Sequence, residues 1–271
     1  MSLWLCRKET VTRPYLIEIL GIRIYSSQEL SYVIYHNPLL VLDDFVSERL
    51  IVFIRDELQM PFLAAKLEKW KAAGENPDDL LLIILQECGY YQTAEINQFR
   101  SKLAAYRKMH PGELGKLKAD ALFQLKQYGR AIDIYERLLQ LPKDQVVNEI
   151  YLGMIWNNLG AAYGRMFQLE PAWKALEMAY AYTKDLSVLG RLYQLTKMDE
   201  RFVLGERYQT VATEELREQW DEEFVKAIER AEDSEELAEL DQLFDKDPIK
   251  RMAGAEKLVY GWRQEYRRIT R

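Results

Sequence analysis

Histidine and cysteine are scarce in this chain of 271 residues, and their scarcity limits the chemistry that it can support. His36 and His110 both lie next to a proline-containing break, where a turn or helix-boundary role is favoured over catalysis. We therefore expect neither a histidine-dependent triad nor a two-histidine metal site. Cys6 and Cys88 are far apart and form no Cys-x-x-Cys pattern, which indicates neither a disulfide framework nor a zinc site and fits a reducing cytoplasm.

The usual motifs of nucleotide-binding proteins and hydrolases are also missing. Gly-x-Gly-x-x-Gly and Gly-x-Ser-x-Gly do not occur, and "GELGKLK" at residues 112–118 has the wrong spacing for a phosphate loop, with Leu117 where Ser or Thr is needed. Runs of carboxylates, such as residues 221–223, are typical of a solvated helix face. We predict no catalytic residue, no cofactor and no metal. An enzyme site near Tyr32, His36 or Glu48 remains the least favoured alternative.

Long hydrophobic runs are lacking as well. The most apolar stretch, "LLLIILQECGYY" at residues 80–91, is well short of the roughly 20 residues that a membrane span requires. The N-terminus has no basic start followed by an apolar run long enough for export. From these two observations we expect a cytoplasmic protein with no membrane partner.

Charge is plentiful, but it is unevenly distributed. The net charge of −6 argues against a nucleic-acid partner, because phosphate neutralisation needs a basic face. Residues 214–245 contain 14 acidic and 3 basic side chains, whereas residues 246–271 contain 8 basic and 3 acidic ones. We interpret these segments as solvated faces of neighbouring helices. The alternative is a basic terminal helix that docks on an acidic partner.

Helix signals dominate the sequence, so the predicted fold class is all-α. Apolar residues recur at three- and four-residue spacing, glycine and proline are few, and Ser26-x-x-Glu29 fits a capping box. Strand signals occur only near the N-terminus, at residues 3–8 and 21–25, where a short β-hairpin or irregular turns are the alternatives. Residues 1–110 are expected to form a helical module that resembles no known family.

Beyond residue 112 the predicted helices become alike, and their packing residues recur. Gly160 and Ala172 are small where two antiparallel helices would approach most closely, and larger apolar residues fill the space around them. The spacing matches positions 4, 7, 8, 11, 20 and 27 of the 34-residue tetratricopeptide repeat at Trp156, Leu159, Gly160, Tyr163, Ala172 and Ala179, with Leu176 in place of the usual aromatic at position 24. Residues 153–186 therefore resemble one such repeat.

Two further units resemble the repeat less closely. Residues 112–145 match it at Ala119, Leu122, Ala131, Tyr135 and Leu138. A degenerate third unit repeats Leu-Gly-x-x-Tyr at residues 189–193, thirty residues downstream of the clear repeat instead of thirty-four. The resemblance implies that residues 111–271 form a right-handed solenoid of helical hairpins, closed by charged C-terminal capping helices.

The resemblance also implies a function. The first helix of each tetratricopeptide hairpin lines a concave groove, and the positions that make contacts there correspond to Lys116, Phe123, Met154, Asn157, Asn158 and Arg165. We expect a protein–protein interaction adaptor that binds a peptide or helix of a partner protein in this groove. A peptide-sensing regulatory protein is the alternative. The oligomeric state is left open, and a homodimer is compatible with the frequent aromatic residues.

A clamp for a C-terminal carboxylate, as in chaperone co-factors of the same superfamily, is less expected. Lys116 and Asn158 fit the pattern of such a clamp, but Asp120 places an acceptor where the clamp needs an asparagine, and a carboxylate opposes the binding of another carboxylate. An i,i+4 pair between Lys116 and Asp120 is the favoured interpretation of those two residues.

Overall fold

The computed structural model describes residues 11–42, 44–244 and 247–270, and these residues form two short strands and fourteen helices. The all-α prediction is therefore confirmed. The chain divides into two compact units, Met1–Lys118 and Ala119–Arg271. This division falls inside the sixth helix, eight residues after the boundary that the sequence places at residues 110 and 111.

The first unit begins with a small antiparallel β-hairpin in which Tyr15 pairs with Ile24 and Ile17 with Ile22. Its second strand lies within the predicted residues 21–25, but the partner strand is formed by residues 15–17. The other predicted strand, residues 3–8, lies outside the described residues. Gly21 closes the turn with φ of 66°, in the left-handed region that glycine tolerates best. The strands are β1 Tyr15–Ile17 and β2 Ile22–Ile24.

The helices of the first unit surround a central apolar helix. They are α1 Ser27–His36, α2 Glu48–Asp56, α3 Pro61–Ala72, α4 Pro77–Cys88, α5 Thr93–Lys108 and the first part of α6 Pro111–Gln124. Residues 80–85 of α4 are all buried, and α4 packs against α1, α3 and α5. The run that is too short for a membrane is thus the core of this unit.

Local sequence signals explain where these helices begin. Ser26 Oγ accepts a hydrogen bond from the Glu29 amide at 3.2 Å, and Asn76 Oδ1 accepts one from Asp78 at 3.0 Å. Proline stands at the first turn of α3 and α4, where its missing N–H costs nothing. The Glu29 carboxylate accepts from the Tyr25 amide instead of the Ser26 amide, so the predicted capping box is shifted by one residue.

The second unit is a succession of packed helices. After the end of α6 come α7 Tyr128–Leu138, α8 Glu149–Arg165, α9 Leu169–Thr183, α10 Leu186–Met198, α11 Glu206–Gln209, α12 Glu214–Glu232, α13 Glu235–Phe244 and α14 Pro248–Thr270. α7 packs on α8, α8 on α9, α9 on α10, and α10 on α12. Each neighbour in this series is also a near neighbour along the chain.

Two glycines allow the closest helix approaches in this unit. A Cβ at Gly160 would lie 2.8 Å from Cγ of Leu176 and 3.4 Å from the carbonyl oxygen of Ala172, which confirms the close approach of α8 and α9 predicted at this position. A Cβ at Gly190 would lie 2.7 Å from Nε1 of Trp220. α10 therefore packs against α12, which begins only after residues 199–213.

The C-terminal helices differ in how much of their own surface is buried. α12 places Trp220 against α10, whereas none of the described residues of α14 is buried. α14 packs on α13 where Gly254 faces Leu243, and its end meets α7 where Gly129 faces Thr270. No helix within the described residues combines the length and apolar character that a membrane crossing needs.

Candidate functional site

A polar pocket of about 300 Å³ lies within the second unit, on one side of α8. It is bounded by the end of α6, by α7, by α8 and by α10. Eight residues line it: Asp120, Phe123, Gln124, Tyr135, Asn157, Asn158, Ala161 and Arg191. The pocket thus combines a carboxylate, a guanidinium, three side-chain amides, a phenol and an aromatic ring, which together can recognise a polar ligand.

Asp120 is the centre of a hydrogen-bond network that ties three helices together. Its Oδ1 accepts from the Tyr135 hydroxyl of α7 at 2.6 Å and from the Asn158 amide of α8 at 2.9 Å. Tyr135 is almost fully buried, with 1% of its surface exposed. Burial, followed by the hydrogen bond to Asp120, raises the pKa of the Tyr135 phenol far above its ordinary value. The phenol therefore remains a donor, and the floor of the pocket is fixed before any ligand arrives.

Arg191 supplies positive charge at the rim of the pocket. Its Nη1 donates to Oδ1 of Asn157 at 2.6 Å, which links α10 to α8. The side chain is exposed, and a guanidinium carries five N–H donors. Arg191 can thus remain bonded to Asn157 while it offers further donors to a carbonyl or carboxylate of a ligand.

The aromatic part of the pocket comes from Phe123, near the end of α6. Its ring lies 5.2 Å from the ring of Tyr128 in an edge-to-face arrangement, and Tyr128 is buried. Phe123 itself is only partly covered, so one side of the ring is available to an apolar group. The pocket can therefore combine hydrogen bonds with a hydrophobic contact.

The structure brings some of the predicted groove residues together and leaves others apart. Phe123, Asn157 and Asn158 line the pocket, whereas Met154 and Arg165 are exposed on α8 outside this lining. Lys116 belongs to the first unit, on the part of α6 that precedes the division. Sequence reasoning did not select Tyr135 and Arg191 for the groove. Arg191 lies 34 residues after Asn157, which is the length of one tetratricopeptide repeat. This spacing could have identified Arg191 from the sequence.

A second, wider cleft of about 950 Å³ lies on the opposite side of α8. Trp156, Leu159 and Tyr163 contribute to it, at helix positions roughly opposite those of Asn157, Asn158 and Ala161. The Tyr163 hydroxyl donates to Glu136 at 2.5 Å, and burial raises the pKa of that phenol. This cleft is more open and its walls mix both charges, with Asp133 and Glu136 beside Arg137 and Lys174. We favour the smaller pocket because its polar groups converge and are held by bonds between helices.

The two histidines have local contacts of the kind expected at helix boundaries. His110 Nδ1 accepts from the Gly112 amide at 3.0 Å, which caps the start of α6. His36 ends α1, and its ring lies 4.1 Å from the ring of Tyr32. Within the described residues, no group of three or more His, Cys, Asp or Glu side chains is arranged to hold a metal ion.

Comparison with known proteins adds no assignment. No family model matches the sequence, and neither the curated proteins nor the solved structures give a significant match. The resemblance to tetratricopeptide repeats therefore rests on the residues and their spacing alone.

Proposed function

We propose that this protein is a protein–protein interaction adaptor, and that the pocket between α6, α8 and α10 holds a peptide or helix of its partner. The helices of the second unit would then form a tetratricopeptide-like solenoid, with α6, α8 and α10 as the first helices of successive hairpins. The single observation that carries the proposal is the pocket itself. It places Phe123, Asn157 and Arg191, which come from three different helices, around one solvent-accessible space.

The chemistry of the pocket suits a peptide backbone with one apolar anchor. Arg191 and the side-chain amide of Asn157 can bond carbonyl oxygens, while the ring of Phe123 receives an apolar side chain. Asp120 already accepts two bonds from within the protein, so it supports the pocket more than it contacts a ligand. Because Asn158 donates to Asp120, it is committed to this network, which further disfavours a clamp for a C-terminal carboxylate.

The proposal is tested by charge reversal at the rim of the pocket. Arg191→Glu places a second carboxylate near Asp120 and removes the cationic donor, while Arg165→Glu makes the same charge change on an exposed position outside the pocket lining. Partners are first captured from the native host with the wild-type chain and identified by mass spectrometry. Synthetic segments of the captured protein are then titrated against the wild-type chain and both variants by calorimetry.

We expect Arg191→Glu to weaken binding by about tenfold or more, since a charge-assisted hydrogen bond contributes about 1.5–3 kcal/mol. Arg165→Glu should change the affinity by no more than about twofold, as isolated surface charges do. Equal losses in the two variants would show that overall charge matters and the pocket does not. A peptide that binds normally to Arg191→Glu would place the interaction elsewhere on the chain.

A further inference from the structure

The C-terminal helix α14 has an apolar stripe that nothing in the described chain covers. Its partly buried side includes Gly254, Leu258 and Ile269, and this side faces α13 and the start of α7. A different side of the helix carries large apolar residues with 40% to 78% of their surface exposed. They recur at helical spacing and are Ile249, Met252, Val259, Tyr260 and Tyr266. A solvated helix would not need such a stripe.

The same stripe also carries basic side chains. Arg263 and Arg267 lie on it, seven residues or fewer from Tyr260, and have no ion-pair partner among the described residues. Over its whole length α14 has 6 basic and 2 acidic residues. The ion pairs seen along it join residues within one turn, namely Lys250 with Asp247 and Arg268 with Glu265. Much of the positive charge of α14 is therefore available to a partner.

An acidic surface that also has exposed apolar residues lies on α12 and α13 of the same chain. Residues 214–244 contain 13 acidic and 3 basic side chains. The apolar stripe that buries Trp220 against α10 continues along α12 to Ile228, which is exposed, and Val225 beside it is also exposed. Glu229 and Glu232 lie next to these apolar residues at helical spacing. This part of α12 is therefore an acidic face with an uncovered apolar centre.

We propose that α14 docks on the acidic face of α12 and α13 in a second copy of this chain. The two surfaces are complementary in charge and both have exposed apolar residues, and each copy carries both of them. A twofold arrangement therefore forms the same contact twice, as closed homodimers do. Contact between two α14 helices is disfavoured because it brings together like charges. An anionic lipid surface is disfavoured because the strongly acidic α12 and α13 are attached to the basic helix.

Reciprocal charge reversal tests this proposal. One variant carries Arg263→Glu and Arg267→Glu on α14, and the other carries Glu229→Arg and Glu232→Arg on α12. A control variant, Lys250→Glu with Lys257→Glu, makes the same charge change on a side of α14 away from the apolar stripe. The mass of each full-length protein is measured by sedimentation equilibrium at low and high salt, and circular dichroism checks that every variant is folded.

We expect the wild-type chain to dimerise at low salt and each double reversal to weaken dimerisation by about tenfold or more. An equimolar mixture of the two reversed variants should regain association as a mixed dimer, while the control variant should stay within about twofold of the wild type. A wild-type chain that is monomeric at its highest soluble concentration overturns the proposal. So does a mixture that fails to associate. Binding of the wild-type monomer to vesicles of anionic phospholipid would assign α14 to a membrane surface instead.

Discussion

At the scale of single residues, the polar network around Asp120 is the feature that distinguishes this protein from a plain stack of helices. Asp120 is partly buried and accepts from two donors, Tyr135 and Asn158, and a hydrogen bond of this kind contributes about 0.5–1.5 kcal/mol to stability. One of them, the Tyr135 hydroxyl, is itself enclosed. The network thus couples the stability of the second unit to the shape of the pocket floor.

This coupling predicts how stability depends on alkaline pH. The folded pKa of Tyr135 lies above its unfolded value near 10, so folding favours the protonated phenol. The contribution of the Tyr135 phenol to the free energy of unfolding is fully present below about pH 10. It is lost as pH rises further, because the unfolded chain then releases a proton that the folded chain retains. Tyr163 and Tyr91 have raised pKa values for the same main reason, burial, and add to the loss.

Tyr135→Phe isolates the contribution of one phenol. Asp120 keeps its bond from Asn158, so the substitution should lower the free energy of unfolding by only about 1 kcal/mol at neutral pH. Urea unfolding between about pH 8 and pH 11 should then show a shallower decline for the variant than for the wild type. Parallel declines would mean that the Tyr135 phenol ionises equally in the folded and unfolded chains.

The pocket could be predicted from the sequence only in part, and the reasons are physical. Phe123, Asn157 and Asn158 were expected because they fall at the groove positions that the tetratricopeptide resemblance implies. Tyr135 was matched to a packing position of the repeat, and such a match does not reveal where its hydroxyl donates. Arg191 was missed because groove positions were assigned only in the two clearer units, since the predicted third unit recurs after thirty residues instead of thirty-four and its register is ambiguous. The lining role of these residues is observed, and their role in binding remains a prediction.

At the scale of helices, small residues decide which elements come together. Gly160 allows α8 to lie against α9, and Gly190 receives the indole of Trp220 from α12. Such contacts are visible in a sequence when the small residue recurs at a known spacing, as it does at Gly160. The packing of Trp220 on Gly190 could not be predicted. The two residues are thirty positions apart in the sequence, and the segment between α10 and α12 matches no repeat pattern.

Two glycines of α8 offer a matched test of this packing. Gly160→Ala forces a methyl group against Leu176 and should destabilise the protein by about 1–3 kcal/mol, as overpacking does. Gly164→Ala enters open space and should be neutral or stabilise the helix by up to about 1 kcal/mol. Chemical denaturation of both variants measures the difference. Similar free energies of unfolding for the two would mean that α8 and α9 are not closely apposed at Gly160.

Most helix boundaries were within reach of sequence reasoning, whereas the strand pairing of the β-hairpin was not. Prolines and capping side chains fix the starts of α1, α3, α4 and α6, and these signals act through the adjacent backbone alone. Strand pairing depends on which distant segment supplies the partner. Ile22–Ile24 therefore carried a local strand signal, while its pairing with Tyr15–Ile17 did not show in the sequence.

At the scale of the whole chain, the two compact units have different kinds of core. The first is built around the continuous apolar run of α4, and the second is a series of helices in which each packs on a near neighbour along the chain. The serial arrangement of the second unit has a cleft on each side of α8, and either cleft could receive a partner. The acidic and basic C-terminal helices extend the same unit and supply the surfaces proposed for self-association.

The central claim is that a partner protein binds on the pocket side of α8, and site-specific photo-crosslinking tests it most directly. A photoreactive phenylalanine analogue is placed at Gln124, which lines the pocket, or at Lys174, which lines the wider cleft on the opposite side of α8. Both positions are exposed, so neither replacement should disturb folding. We predict that the captured partner cross-links from position 124 and not from position 174. Cross-linking from position 174 alone would contradict the account and assign binding to the wider cleft.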